Sequence, residues 1–244
     1  MIRRLTLAVA CLIALSGCHS PNRDEGSSPA TESTSDRAPQ QVEPWYELAV
    51  REFQEADRAN TPAPGQIVFT GSSSIRAWTT LEADMAPWPV LNRGFGGSKT
   101  GEVLIVMDRI VLAYEPGAIV YYCGDNDLAE TNTDSAAAAQ GFITFCERVH
   151  AERPGTPIFY ISIKPSLARW GNWPAMKRAN EMVAGYAATH DLVTYMDMST
   201  CLLGPDGTPD PNMYVADGLH LSPAAYAKWT KIVREHVTPV AAAR

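Results

Sequence analysis

The sequence predicts an α/β fold: a three-layer α/β/α sandwich around a five-stranded, mostly parallel sheet. Three observations carry the prediction. Five short apolar runs rich in β-branched and aromatic residues recur along the chain, and longer stretches with helical spacing separate them. Once the polar and signal-like N-terminus is set aside, about 200 residues remain, which is enough for one sizeable core and short for two. The runs are 66–70, 89–92, 118–123, 157–163 and 192–196. Continuous apolar runs of this length suit strands that are buried on both faces. The helical stretches cover 99–113, 135–152, 174–189 and 222–238. Strict alternation of the two implies right-handed crossovers and helices on both faces of the sheet. A further helix, 43–58, precedes the first strand and sets Trp45, Leu48, Ala49 and Phe53 on one face for packing.

The N-terminus has a different logic. Arg3 and Arg4, the apolar stretch from Leu5 to Leu15 and the small residues Ser16 and Gly17 before Cys18 form the three regions of a secretory signal. The apolar stretch is shorter than the ~20 residues that span a bilayer. Its end resembles the cleavage site of bacterial lipoproteins. That resemblance makes 1–17 a signal peptide and Cys18 the lipid-modified first residue of the mature chain. Three acyl chains there would exceed the two signals that stable anchoring needs. Residues 18–41 are rich in Ser, Pro, Thr, Asp and Glu, lack aromatic residues, and read as a tether that lets a domain over 42–244 stand off the membrane. His19 follows Cys18 where an Asp would favour inner-membrane retention, so the expected location is the outer membrane, facing the periplasm.

Charge and cysteine content narrow the partners. The chain carries 20 basic and 27 acidic residues, and loss of Arg3 and Arg4 with the signal takes the net charge from −7 to about −9. That disfavours nucleic acid and anionic membrane as direct ligands. Cys123, Cys146 and Cys201 remain in an oxidising compartment, so at most one disulfide is expected, with no pairing legible. No CxxC or Cys/His spacing suggests a metal, and no organic cofactor is implied.

In a parallel sheet, ligands bind beyond the carboxyl ends of the strands, and the unusual local sequences lie there. After the first run comes Gly71-Ser72-Ser73-Ser74-Ile75, a turn that can expose a hydroxyl and offer helix-start amides, although a serine-rich helix cap looks the same. After the second comes Asn92-Arg93-Gly94-Phe95-Gly96-Gly97-Ser98, either a backbone that approaches a ligand closely or a tight turn. After the third comes Gly124-Asp125-Asn126-Asp127, open to a turn, a loose divalent-metal loop or a catalytic amide. Lys164-Pro165-Ser166, with Arg169 and Trp170, follows the fourth, as a pocket lining or an ordinary loop. Near the C-terminus, Asp217-Gly218-Leu219-His220 can fold so that the carboxylate meets Nδ1 and Nε2 stays free, or can be a capping Asp beside a surface His.

Together these segments resemble, in order and placement, the sequence blocks of the SGNH hydrolases, also called GDSL-type lipases and esterases, across about residues 66–236. The wording of the blocks is similar to a bacterial branch of GDSL-like acylhydrolases. The resemblance implies Ser73 as nucleophile, His220 as its base and Asp217 as the residue that orients the base. It also implies an oxyanion hole built from the amides of Ser73 and Gly97 and the side chain of Asn126. Ser72 stands where the commoner family pattern has Asp, which leaves three adjacent serines as candidates for the nucleophile. No metal or cofactor is implied, so Asp125 and Asp127 are assigned to holding their loop. The expected activity is hydrolysis of small acyl esters through an acyl-enzyme, with acylated envelope carbohydrate as the expected substrate. The alternatives are an acyltransferase that uses the same acyl-enzyme and a glycan-binding lipoprotein without catalysis.

Overall fold

The computed structural model describes residues 43–129 and 134–241. The signal peptide, Cys18 and the tether lie outside the described residues. Five strands, β1 (Ile67–Gly71), β2 (Val90–Gly94), β3 (Ala118–Tyr122), β4 (Ile158–Ile161) and β5 (Val193–Met196), form one sheet in the order β2-β1-β3-β4-β5. Every neighbouring pair is parallel, so the expected "mostly parallel" sheet is wholly parallel. The helices are α1 (Glu47–Ala59), α2 (Ser73–Arg76), α3 (Leu81–Met85), α4 (Thr100–Ile110), α5 (Ser135–Glu152), α6 (Trp173–Ala187) and α7 (Pro223–Ala241).

The sheet's two faces build two cores because successive strand residues point to opposite sides. Val68, Ile119, Tyr121, Ile158, Tyr160 and Val193 face one cluster, closed by Val50 of α1, Val106 of α4, Phe142 of α5 and Val183 of α6. Phe69, Val120, Tyr122, Phe159, Ile161 and Met196 face the other, closed by Ile75 of α2, Met85 of α3 and Trp229 of α7. The three-layer sandwich follows directly from this alternation.

The first helix departs from expectation. Ala49 and Phe53 do pack on the core, but Leu48 is exposed and Trp45 precedes the helix with its ring largely in solvent. The buried stripe is Tyr46, Val50 and Phe53, at spacings of four and three, with Ala49 beside it. The helix starts four residues later than predicted, which leaves Trp45 outside it.

All three cysteines of the domain are free thiols. Cys123 and Cys146 are buried, and burial pushes both thiols well above the ordinary range, whereas Cys201, partly exposed, is pushed up to about 11. A thiol reagent should therefore leave Cys123 and Cys146 untouched in the native protein and modify them only after denaturation. Rapid modification of either in the folded state contradicts this packing.

Candidate active site

Three adjacent parallel strands end level with one another. The register pairs Gly71 with Gly94 on one side and with Tyr122 on the other, so the segments after β1, β2 and β3 leave the same edge of the sheet. The order places this edge at the point where the chain switches direction between β1 and β3, where doubly wound sheets form their crevice. Gly71 is required there: its φ is +123°, and a Cβ would stand 1.8 Å from the carbonyl oxygen of Tyr122. The chain then turns sharply into α2, whose first residue is Ser73.

Burial separates the three serines. Ser72 and Ser74 are each 1% exposed, whereas Ser73 is half-buried. Ser72 occupies the N-cap position but its side chain makes no capping hydrogen bond, so the helix-cap reading of the serine run is not what the chain uses. The Oγ of Ser73 lies 3.0 Å from Nε2 of His220, and Nδ1 of His220 lies 2.6 Å from Oδ2 of Asp217.

The loop that carries His220 is stapled on both sides. Val215 N–H donates to the carbonyl of His220 at 2.9 Å, Tyr214 pairs with Leu221, and Gly218 turns the chain at φ +65°. Ser222 then accepts the N–H of Ala225 at 3.3 Å and Pro223 opens α7, which is the helix-start chemistry expected from Ser-Pro. The Asp217 carboxylate accepts the backbone N–H groups of Leu219 and His220 at 2.8 and 2.9 Å as well as the imidazole. The ring hydrogen bond first, and then these two amides, push its carboxyl down to about 2 although it is largely exposed. An ionised carboxylate only accepts, so the proton between the two residues sits on Nδ1 and Nε2 is left as the acceptor for Ser73. The arrangement can move a proton from Oγ to Nε2.

The loop after β2 carries Gly97 at φ +81°, and the loop after β3 carries Asn126. Asn126 Nδ2 donates to the carbonyl of Ser98 at 3.0 Å, joining the two loops. Asp127 reinforces the joint by accepting the N–H of Thr100 at 3.0 Å and its hydroxyl at 2.6 Å, even though burial pushes its carboxyl up. Asp125 sits beneath, 2.6 Å from Lys164 Nζ and in contact with the Arg169 guanidinium. Burial by itself would raise the Asp125 carboxyl, but the charges of Lys164 and Arg169 outweigh it and hold the group below its usual value. Both acids thus hold their loop, as the sequence suggested. Lys164, 1% exposed, is a buried counter-ion and not a pocket lining.

Two contacts at the site were not legible in the sequence. Arg169 reaches Asn126 as well as Asp125, a contact across 43 residues that no local pattern signals. Trp45 lies beside Gly97: a Cβ on that glycine would be 3.5 Å from Trp45 Cη2, and the indole N–H is held by Glu102 at 3.0 Å. A lone Trp before a helix carries no motif.

Residues 39–228 match the GDSL-like Lipase/Acylhydrolase family. No curated protein matches the chain in sequence. Among solved structures, a protein from Streptococcus pneumonia described as a platelet activating factor is 22% identical, with a TM-score of 0.70 over 78% of this chain and 92% of its own. A Bacteroides fragilis protein described as an acylhydrolase is 18% identical, with a TM-score of 0.70 over 82% of this chain and 100% of its own. A variant of an acetyl-xylooligosaccharide esterase from Geobacillus Stearmophilus is 11% identical, with a TM-score of 0.58 over 72% of this chain and 95% of its own. At these identities the likeness is one of fold. The family match makes the protein a carboxylic ester hydrolase of α/β architecture. It belongs to the GDSL-like lipase/acylhydrolase family.

Proposed function

We propose that the protein hydrolyses small acyl esters, acylated carbohydrate in particular, through an acyl-enzyme on Ser73. The observation that carries this is the continuous chain of hydrogen bonds from Ser73 Oγ through both ring nitrogens of His220 to Asp217, open to solvent at the edge of the sheet. His220 Nε2 takes the Ser73 proton as Oγ bonds to the ester carbonyl carbon, and Asp217 holds the ring and balances its charge. Negative charge on the former carbonyl oxygen meets the N–H groups of Ser73 and Gly97 and the amide of Asn126. Ser73 opens a helix, so its N–H has no intrahelical acceptor and is available for this. The protonated imidazole gives its proton to the departing alcohol. A water, deprotonated by Nε2, then attacks the acyl carbon and releases the acid and free Ser73.

The carbohydrate part of the reading is supported by the exposed indole of Trp45 beside Gly97 and by the fold shared with the acetyl-xylooligosaccharide esterase. An aromatic face next to an open site suits a ring-shaped alcohol better than a long acyl chain. The lipoprotein-like run Leu15-Ser16-Gly17-Cys18 supports cleavage after Gly17, an acylated Cys18 and an outer-membrane enzyme facing the periplasm, with 18–41 as tether and 42–244 as the catalytic domain. Loss of membrane association in Cys18→Ser cells tests the anchor. Hydrolysis of p-nitrophenyl acetate, butyrate and octanoate, beside acetylated and deacetylated xylooligosaccharides, tests the substrate. Acetyl release from the sugar with falling rates on longer chains is expected, and a preference for octanoate overturns it.

The pH profile follows from Asp217. Its carboxyl is pushed down to about 2, below its value in the unfolded chain. Its hold on the His220 loop is therefore complete above the ordinary carboxylate range and fades only as the pH falls toward that lowered value. The acid limb of kcat/KM should therefore show no break in the ordinary carboxylate range from Asp217. A break there contradicts the geometry.

A further inference from the structure

We infer that Arg169 is a positioning residue that sets which end of the Asn126 amide faces the reacting oxygen. The inference rests on the proposed role of Asn126 in the oxyanion hole and goes beyond it. An asparagine side chain can point either its oxygen or its NH₂ toward a substrate, and the two ends have nearly the same shape. Only the NH₂ end stabilises an oxyanion. The guanidinium of Arg169 has donors and no acceptor, and its Nη2 lies 3.1 Å from Oδ1 of Asn126. That contact commits the oxygen to Arg169 and turns Nδ2 to the opposite side, where it donates to the carbonyl of Ser98 at 3.0 Å. One of its two N–H groups is used there, and the second remains for the substrate. A flipped amide would set NH₂ against guanidinium and oxygen against carbonyl, two repulsions in place of two hydrogen bonds.

The arginine is itself held from behind. Its Nη1 contacts Oδ1 of Asp125 and donates to the backbone carbonyl of Asp125 at 3.1 Å. The other carboxylate oxygen of Asp125 accepts Lys164 Nζ at 2.6 Å and the hydroxyl of Tyr122 at 3.2 Å. The Asp125 side chain is 6% exposed and that of Arg169 19% exposed, so little water competes for these bonds. The same segment also steadies the histidine loop, since Ala168 N–H donates to the carbonyl of Gly218 at 3.0 Å. Residues 164–169 thus bridge the oxyanion donor and the acid–base pair.

The test is a double-mutant cycle between Arg169→Met and Asn126→Ala in the full chain, read as kcat and KM on p-nitrophenyl acetate, with Tm as a control. Arg169→Met should lower kcat by about 10- to 100-fold with KM nearly unchanged, because a misaligned donor is lost in the transition state and not in substrate binding. In the Asn126→Ala background the same change should cost little, since there is no amide left to orient. Arg169→Lys, which keeps the charge but not the two-pronged donor, should restore only part of the rate and serves in the cycle if the methionine variant fails to fold. Multiplying losses in the double variant, or a loss confined to KM, overturns the inference while leaving Ser73 and His220 untouched. If Asn126→Ala alone leaves kcat unchanged, the oxyanion assignment itself fails, and the inference with it.

Discussion

Ser73→Ala should reduce ester hydrolysis by about 10⁴-fold or more, and His220→Ala should do nearly the same. The two changes together should cost little beyond either alone, because nucleophile and base act as a unit across the 3.0 Å contact between Oγ and Nε2. Stability should hardly move, since Ser73 is half-buried and, among the described residues, its hydroxyl bonds to His220. Ser72→Ala and Ser74→Ala are the matched controls. Both side chains are buried, so these variants should retain activity within a few fold and reveal any cost as a lowered Tm. The assay is the initial rate with p-nitrophenyl acetate, and full activity in Ser73→Ala would remove the assignment.

Asn126→Ala should lower kcat by about 10² to 10³ with KM little changed, the pattern of an interaction made to charge that develops only in the transition state. The loss has a structural component as well, because Asn126 Nδ2 also holds the Ser98 carbonyl beside Gly97. That hydrogen bond contributes about 1 kcal/mol to stability. Asp127 keeps its own hold on Thr100, so the loop should stay folded. Stability measured by chemical denaturation separates the two components: a loss of kcat with a small change in stability is the expected pair. A large rise in KM would instead mean that Asn126 binds the ground state.

The strands were legible because a sheet covered on both faces needs uninterrupted apolar runs, and each of the five runs became a strand within a few residues of its expected ends. Ser73 and Asn126 lie where parallel strands stop, but the roles expected of them and of His220 came from the resemblance to the SGNH sequence blocks and not from position along the strands. What was hidden depends on three-dimensional neighbours. Three consecutive serines look alike in sequence, and only the turn at Gly71, forced by the nearby Tyr122 carbonyl, decides that Ser72 and Ser74 are buried while Ser73 meets His220. Lys164 and Arg169, after a strand, were open to a pocket lining or an ordinary loop. Their side chains turn to Asp125, and the attraction of a buried carboxylate cannot be read from spacing. The first helix shows the limit of periodicity: Trp45 and Leu48 fit one stripe and Tyr46 and Val50 another, and the second is the one the core buries.

Which serine becomes acylated decides the mechanism most directly. Reaction of the full-length protein with a fluorophosphonate, followed by intact mass and fragment spectra of the peptide that spans residues 59–76, measures it. The predicted result is one adduct per chain, located on Ser73, absent in Ser73→Ala and formed far more slowly in His220→Ala. An adduct on Ser72 or Ser74, or no adduct on a protein that still hydrolyses esters, would contradict it.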